Sequence, residues 1–215
     1  MVVRLPEFRT LAKLMERLGD VSPDRVRVHP AAGTATVMDV ERIRKKEGLL
    51  CELVEGVLVE KAMGLEESSL AGFLLGLLNV FVIPRNLGKV TGSDGTIQIA
   101  ANLVRIPDVA FFPWDRLPNR RMPKKPVPNV VPKLAVEVLS KSNTKREMAI
   151  KRAEYFRAGV ALVWEIDPRK RAVAVYTSLT DVVKLGIEDT LDGGSVLPEF
   201  ELPLKDLFAE MDRKG

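Results

Sequence analysis

The chain has 215 residues, is 46% hydrophobic and 29% charged, and carries a formal net charge of +4. That length suits one domain with additions, and the composition supports a packed core and excludes wholesale disorder. A single Cys (Cys51) and a single His (His29) exclude a disulfide framework, a Cys-based zinc site and an HExxH metalloprotease, so carboxylates, lysines and hydroxyls are left to carry any catalysis.

The opening MVVRLPEFRT has no sustained apolar run of the export-signal type. The spacing of Leu11, Leu14, Met15 and Leu18 predicts a first helix, stopped by Gly19. A second is expected over Thr36–Lys46, with Thr36 as cap, Asp39 three residues on and Gly48 as terminator. CELVEGVLVEK, residues 51–61, reads as a hairpin turning at Glu55-Gly56. Glu66–Ile83 carries the strongest helical pattern, with Leu70, Phe73, Leu74, Leu77, Leu78 and Phe81 on one face and Pro84 as its stop. Its uncharged apolar run, Leu70–Ile83, is 14 residues, short for a bilayer span, so a buried helix, a cytoplasmic location and no membrane partner are expected.

Lys89–Ala100 is expected to be one strand, bent at Asp94-Gly95, and Leu103–Phe112 the next. Residues 116–136 hold Arg116, Arg120, Arg121, Lys124, Lys125 and Lys133, no acid and five prolines, which predicts an extended basic loop. Such a loop is either a solvated connection or an arm that contacts phosphates. LAVEVL, residues 134–139, is a short strand. Thr144–Ala158 is a helix with a T-x-x-E capping box at Thr144 and Glu147 and Gly159 at its end. ALVWEI and AVAVY, joined by DPRKR, are two more strands, and a short helix is expected near Leu204–Met211. From residue 181 onward the chain holds four basic and nine acidic residues, net −5, so residues 1–180 carry +9. The order of elements predicts an α/β fold, a mixed central sheet flanked by helices, with an N-terminal helical extension over 1–48 and the main domain over 49–215.

Two acids stand out by position. Asp108 lies within RIPDVAFF and Glu137 within LAVEVL, and a carboxylate inside an apolar strand needs a compensating cation. That cation is either a basic side chain or a bound ion such as Mg²⁺, which takes oxygen ligands. Lys151 shares a helix face with Glu147 and Tyr155 at i, i+4 and i+8. The face is either a solvent-exposed Glu147–Lys151 pair or a surface turned toward Glu137.

CELVEGVLVE, RIPDVAFF, LAVEVLSKSNT and IKRAEYFRAGVALVWEIDP, taken together, resemble the Uma-type family of putative restriction endonucleases, within the PD-(D/E)xK nuclease superfamily. The resemblance covers about Leu50 to Phe208. It implies a restriction-endonuclease-like core and Mg²⁺-dependent, alternatively Mn²⁺-dependent, hydrolysis of DNA phosphodiester bonds. Asp108 takes the place of the aspartate after proline and Glu137 the second acidic place. The superfamily's usual lysine position is Leu139 here, and Lys151 on the following helix matches the substitute. Glu67, near the start of the long apolar helix, matches an acid that supports the metal. Glu52 and Glu55 match the family hairpin, where they set local geometry. Arg116, Arg120, Arg121, Lys124 and Lys125 would track DNA, and a homodimer is implied. The alternative is a nuclease-like fold that binds nucleic acid or a protein partner without cutting. A serine hydrolase on Ser142-x-x-Lys145 lacks its partner motifs, and a glycosidase would have only two Trp and two Tyr for a sugar platform.

Overall fold

Threonines start three of the α-helices. In the computed structural model, which describes residue 8 and residues 10–214, Thr10, Thr36 and Thr144 cap α1 (Leu11–Arg17), α2 (Val37–Glu47) and α4 (Lys145–Ala158). Most of the opening segment read for an export signal lies outside the described residues. At α2 the Thr36–Asp39 box closes in both directions. At α4 only half of it forms: the Glu147 amide donates to Thr144 Oγ1 at 2.9 Å, but the Glu147 carboxylate turns away to Arg25, also at 2.9 Å. The helix is thus tied to the N-terminal segment from its first turn.

The hairpin of β1 (Cys51–Val54) and β2 (Val57–Glu60) turns at Glu55 (φ 50°) and Gly56 (φ 74°), the two left-handed residues that match strand twist. A Cβ on Gly56 would lie 2.5 Å from Gly33, so the turn also seats the N-terminal loop. The long helix α3 (Leu65–Val82) has the length and hydropathy of a membrane span, more than the 14-residue run suggests. Its Leu70, Leu74, Leu78 and Val82 nonetheless lie in the main apolar cluster.

Both long strands expected between Lys89 and Phe112 are broken, because the chain changes sheets twice. Lys89–Ala100 divides into β3 (Gly88–Thr91) and β4 (Ile97–Ala100), and Leu103–Phe112 into β5 (Leu103–Arg105) and β6 (Val109–Pro113). Pro107 has no N–H to offer a sheet partner, so the chain crosses over at Ile106-Pro107-Asp108. Asp108 therefore stands at the mouth of β6, not within a strand.

With β7 (Leu134–Val138), β8 (Leu162–Asp167), β9 (Ala172–Tyr176) and β10 (Val182–Leu185), the large sheet has the order β10-β9-β8-β7-β6-β3. Only β7 and β8 are parallel, joined through α4. The small sheet is β2-β1-β5-β4. The acidic C-terminal part holds more structure than its composition suggests: β10, the hairpin of β11 (Thr190–Gly193) and β12 (Leu197–Pro203), and α5 (Leu204–Asp212). α3, α5 and that hairpin cover one face of the large sheet, and α4 covers the other. In the N-terminal segment, Val40 and Ile43 pack with Leu53, Leu58 and Val104, while Leu14 and Leu18 pack with Val54, Val57 and Val59.

Candidate active site

Asp108 precedes β6, and Glu137 lies near the end of the antiparallel β7, so the two acids meet at one end of the large sheet. One Asp108 oxygen, Oδ2, accepts from the Val138 amide at 2.6 Å; the other, Oδ1, is 2.6 Å from the Lys61 ammonium. Lys61 also donates to the Ile106 carbonyl. In an extended residue N–H and C=O face the same neighbour, so the Val138 carbonyl is directed to the Asp108 side as well.

The 147–151–155 face of α4 turns inward. Lys151 is 3.2 Å from Glu137 Oε2 and 3.1 Å from Glu52 Oε1. The Tyr155 hydroxyl donates to Glu137 Oε1 at 2.5 Å. No exposed Glu147–Lys151 pair forms, because each has taken a different partner. Glu52, on β1, binds the Arg105 guanidinium at 2.7 Å and accepts from the Ile106 amide at 3.2 Å, and Arg105 continues to Glu154. Exposure is 1% for Glu52, 3% for Asp108, 4% for Lys151 and 5% for Glu137. Four acids (Glu52, Asp108, Glu137, Glu154) thus face three cations (Lys61, Arg105, Lys151), so with every group ionised the network carries one negative charge in excess.

The electrostatics assign different protonation preferences. Burial pushes the Glu137 carboxyl upward; Lys151 opposes this and the Asp108 charge adds to it. Burial would also raise Glu52, but Lys151 and Arg105 outweigh it and hold this carboxyl below the usual carboxylate range. Burial alone would lower Lys151; Glu137 and Glu52 outweigh that and raise it, so it stays an ammonium. Burial and the Glu137 charge push the Tyr155 phenol up, which keeps it a donor.

The site borders a cleft of about 650 Å³ lined by Lys61, Gly64, Glu66, Glu67, Ser140, Lys141 and Ser142, among others. Glu67 is part of this wall, folded back over Gly64. It does not join Asp108 and Glu137: among the described residues, no group of three or more His, Cys, Asp or Glu side chains forms a set that could hold a metal. The donor set is then two carboxylates and the Val138 carbonyl, all hard oxygens, with an ammonium seated on Asp108 as a stand-in cation. This chemistry fits a Mg²⁺ or Mn²⁺ ion that completes its shell with water and substrate.

The basic loop is placed elsewhere. It leaves β6 at Pro113, five residues beyond Asp108, so it starts at the opposite end of the sheet, roughly 17 Å away at about 3.3 Å per residue. Arg120, Arg121, Lys124 and Lys125 are exposed, whereas Arg116 donates to the Gly159 carbonyl at 3.3 Å and finishes α4. Pro126 shares a second cleft with Arg42, Lys45 and Lys46 of α2, so the N-terminal segment extends the basic surface. Sequence reasoning passed over Lys61 and Arg105 and gave Glu52 a merely local part. The signal that picked out Asp108, a charge within an apolar run, applies equally to Glu52 and Arg105.

A family model described as "Putative restriction endonuclease", Uma2, matches residues 37–205. The chain belongs to the Uma2 family. Its matched region begins within α2 and takes in every residue of the network described above. The fold is also similar to that of a crystal structure of a putative nuclease belonging to DUF820 from Anabaena variabilis ATCC 29413: TM-score 0.67 and 21% identity, over 75% of this chain and 91% of that one. No curated protein matches. A Uma2 member with a nuclease-like fold therefore carries two acids and a lysine, distant in sequence, at one end of its sheet.

Proposed function

We propose that the protein is a Mg²⁺-dependent endodeoxyribonuclease. The observation that carries this is the convergence of Asp108, Glu137 and Lys151 at one end of the sheet, where Lys61, the partner of Asp108, lines an open cleft. Asp108, Glu137 and the Val138 carbonyl would hold the ion. Bound Mg²⁺ supplies a Lewis acid that draws charge from a phosphate oxygen and lowers the pKa of water. Tyr155 fixes the Glu137 carboxylate through its hydroxyl. Lys151, held as an ammonium by two acids, stabilises the charge that develops on phosphorus oxygens; it is not a base. Water adds to phosphorus, the bond to one bridging oxygen breaks, and that oxygen leaves with a proton. The surface formed by the basic loop and α2 guides the DNA backbone. A homodimer would place two such sites on opposite strands.

The test is nicking of a supercoiled plasmid with Mg²⁺, Mn²⁺ or chelator. Mg²⁺-dependent nicking that is lost in Glu137→Gln supports the proposal, and nicking in chelator sinks it. One observation favours a second reading, a DNA binder that does not cut: Lys61, Lys151 and Tyr155 already satisfy both acids. Salt-sensitive DNA binding without nicking under any divalent ion would establish that reading instead.

A further inference from the structure

Lys61 lines the cleft and also touches Asp108 of the acidic pair. It follows the last residue of β2, in the irregular stretch 61–64 that leads to α3. Its ammonium is 2.6 Å from Asp108 Oδ1 and donates to the Ile106 carbonyl. The Val138 amide holds Oδ2, so Oδ1 is the oxygen left for a cation arriving from the cleft. A cation already holds it: Lys61 takes this oxygen of the ion-holding set named above, its other partner being the Ile106 carbonyl, also a hard oxygen.

We propose that Lys61 blocks the Asp108 side of the divalent-cation seat in the metal-free protein, is displaced into the cleft when the ion binds, and there contacts a phosphate oxygen of the nucleic acid. The idea rests on the metal-dependent reading above and adds a residue to it. A dication and an ammonium cannot both sit on Oδ1 without strong like-charge repulsion, and the network's excess negative charge favours the ion of higher charge. Lys61 has a flexible four-carbon stem, and its backbone amide is held by the Leu50 carbonyl at 2.9 Å, so the side chain can leave while the hairpin stays in place. The cleft wall offers the Ser140 and Ser142 hydroxyls and the Lys141 ammonium, donors suited to phosphate, which would become the new partner of Lys61.

The test compares the full-length wild type with Lys61→Met by calorimetric titration with Mn²⁺ and by thermal unfolding. A seat that is open in only a fraction of molecules lowers apparent affinity by that fraction, so Lys61→Met should bind Mn²⁺ about tenfold more tightly. Its unfolding temperature should also rise more on Mn²⁺ addition. Equal or weaker binding by Lys61→Met overturns the proposal. Absence of Mn²⁺ binding in both proteins overturns the metal-dependent reading itself, a separate result. A second measurement needs no variant: lysine acylation of wild type, read by mass spectrometry. Lys61 should react severalfold faster once Mn²⁺ is bound, and slow again when a phosphorothioate DNA duplex is added. An unchanged rate in the Mn²⁺-bound protein overturns the displacement, and indifference to DNA overturns the phosphate contact.

Discussion

The Lys151 ammonium lies 3.2 Å from the Glu137 carboxylate, although fourteen residues and a change from strand to helix separate them. Glu137 stays put because Tyr155, one turn further along α4, holds its other oxygen. Lys151→Gln keeps the length and polarity of the side chain but removes its charge. It should lower the nicking rate by about 10²–10³-fold, the usual effect of losing one group that stabilises transition-state charge. Single-turnover nicking at saturating enzyme is the measurement, and a loss below tenfold would show that Lys151 is structural.

Asp108→Ala should abolish Mg²⁺-dependent nicking and also weaken the fold, because the buried Val138 amide would lose its acceptor. A buried donor left without a partner costs about 1–3 kcal/mol. Urea denaturation should therefore show Asp108→Ala below wild type by that amount, with Asp108→Ala/Lys61→Met no more stable, since Lys61 can turn into the cleft. Recovery of stability in the double variant would mean that Lys61 is held in place and cannot turn away.

Glu52 binds Lys151 and Arg105 from a strand in the other sheet. Glu52→Ala should cost a similar 3–5 kcal/mol in urea. Glu52→Gln, which can still accept from the Ile106 amide, should retain more stability than Glu52→Ala and still nick more slowly than wild type. Full activity in Glu52→Gln would free Lys151 from any dependence on Glu52.

Stability should fall in alkali in stages. Burial raises the Cys51 thiol from its ordinary 9.0 to about 11, so the unfolded chain ionises first and stability declines between these values. Tyr155 and Lys151, raised above their ordinary 10.0 and 10.5, contribute stability that is full below those values and is lost as pH rises further. In Cys51→Ala the decline should therefore begin near pH 10, not near 9. Unfolding temperature against pH checks this, and an unchanged onset would assign the first step to another group.

Gly19 (φ +82°) leaves no room for a side chain: a Cβ there would be 2.6 Å from the Glu147 backbone. Gly19→Ala should push the N-terminal segment off the start of α4 and cost about 1–3 kcal/mol. Its thermal unfolding midpoint should drop accordingly. A midpoint equal to wild type would mean that the contact is dispensable.

Local rules made much of this chain legible. Thr-initiated helices, the Glu55-Gly56 turn and the apolar spacing of α3 depend on neighbours a few residues apart, so periodicity and capping residues report them directly. Asp108 and Glu137 were visible for a related reason: a charge in an apolar run must find compensation. Of what answered that need, Lys151 was visible, as one of two orientations of its helix face; the rest was not. Lys61 reaches Asp108, and Glu52 with its partner Arg105 reaches Lys151, only because the chain crosses between sheets at Ile106-Pro107-Asp108, and α4 turns Lys151 inward only because β7 and β8 lie parallel beneath it. Those pairings are set by long-range burial and sheet order, and no short window of residues encodes them. The basic loop shows the same limit. Its charge is plain in the composition, but its departure from the far end of β6 follows from strand direction, which only the assembled sheet defines.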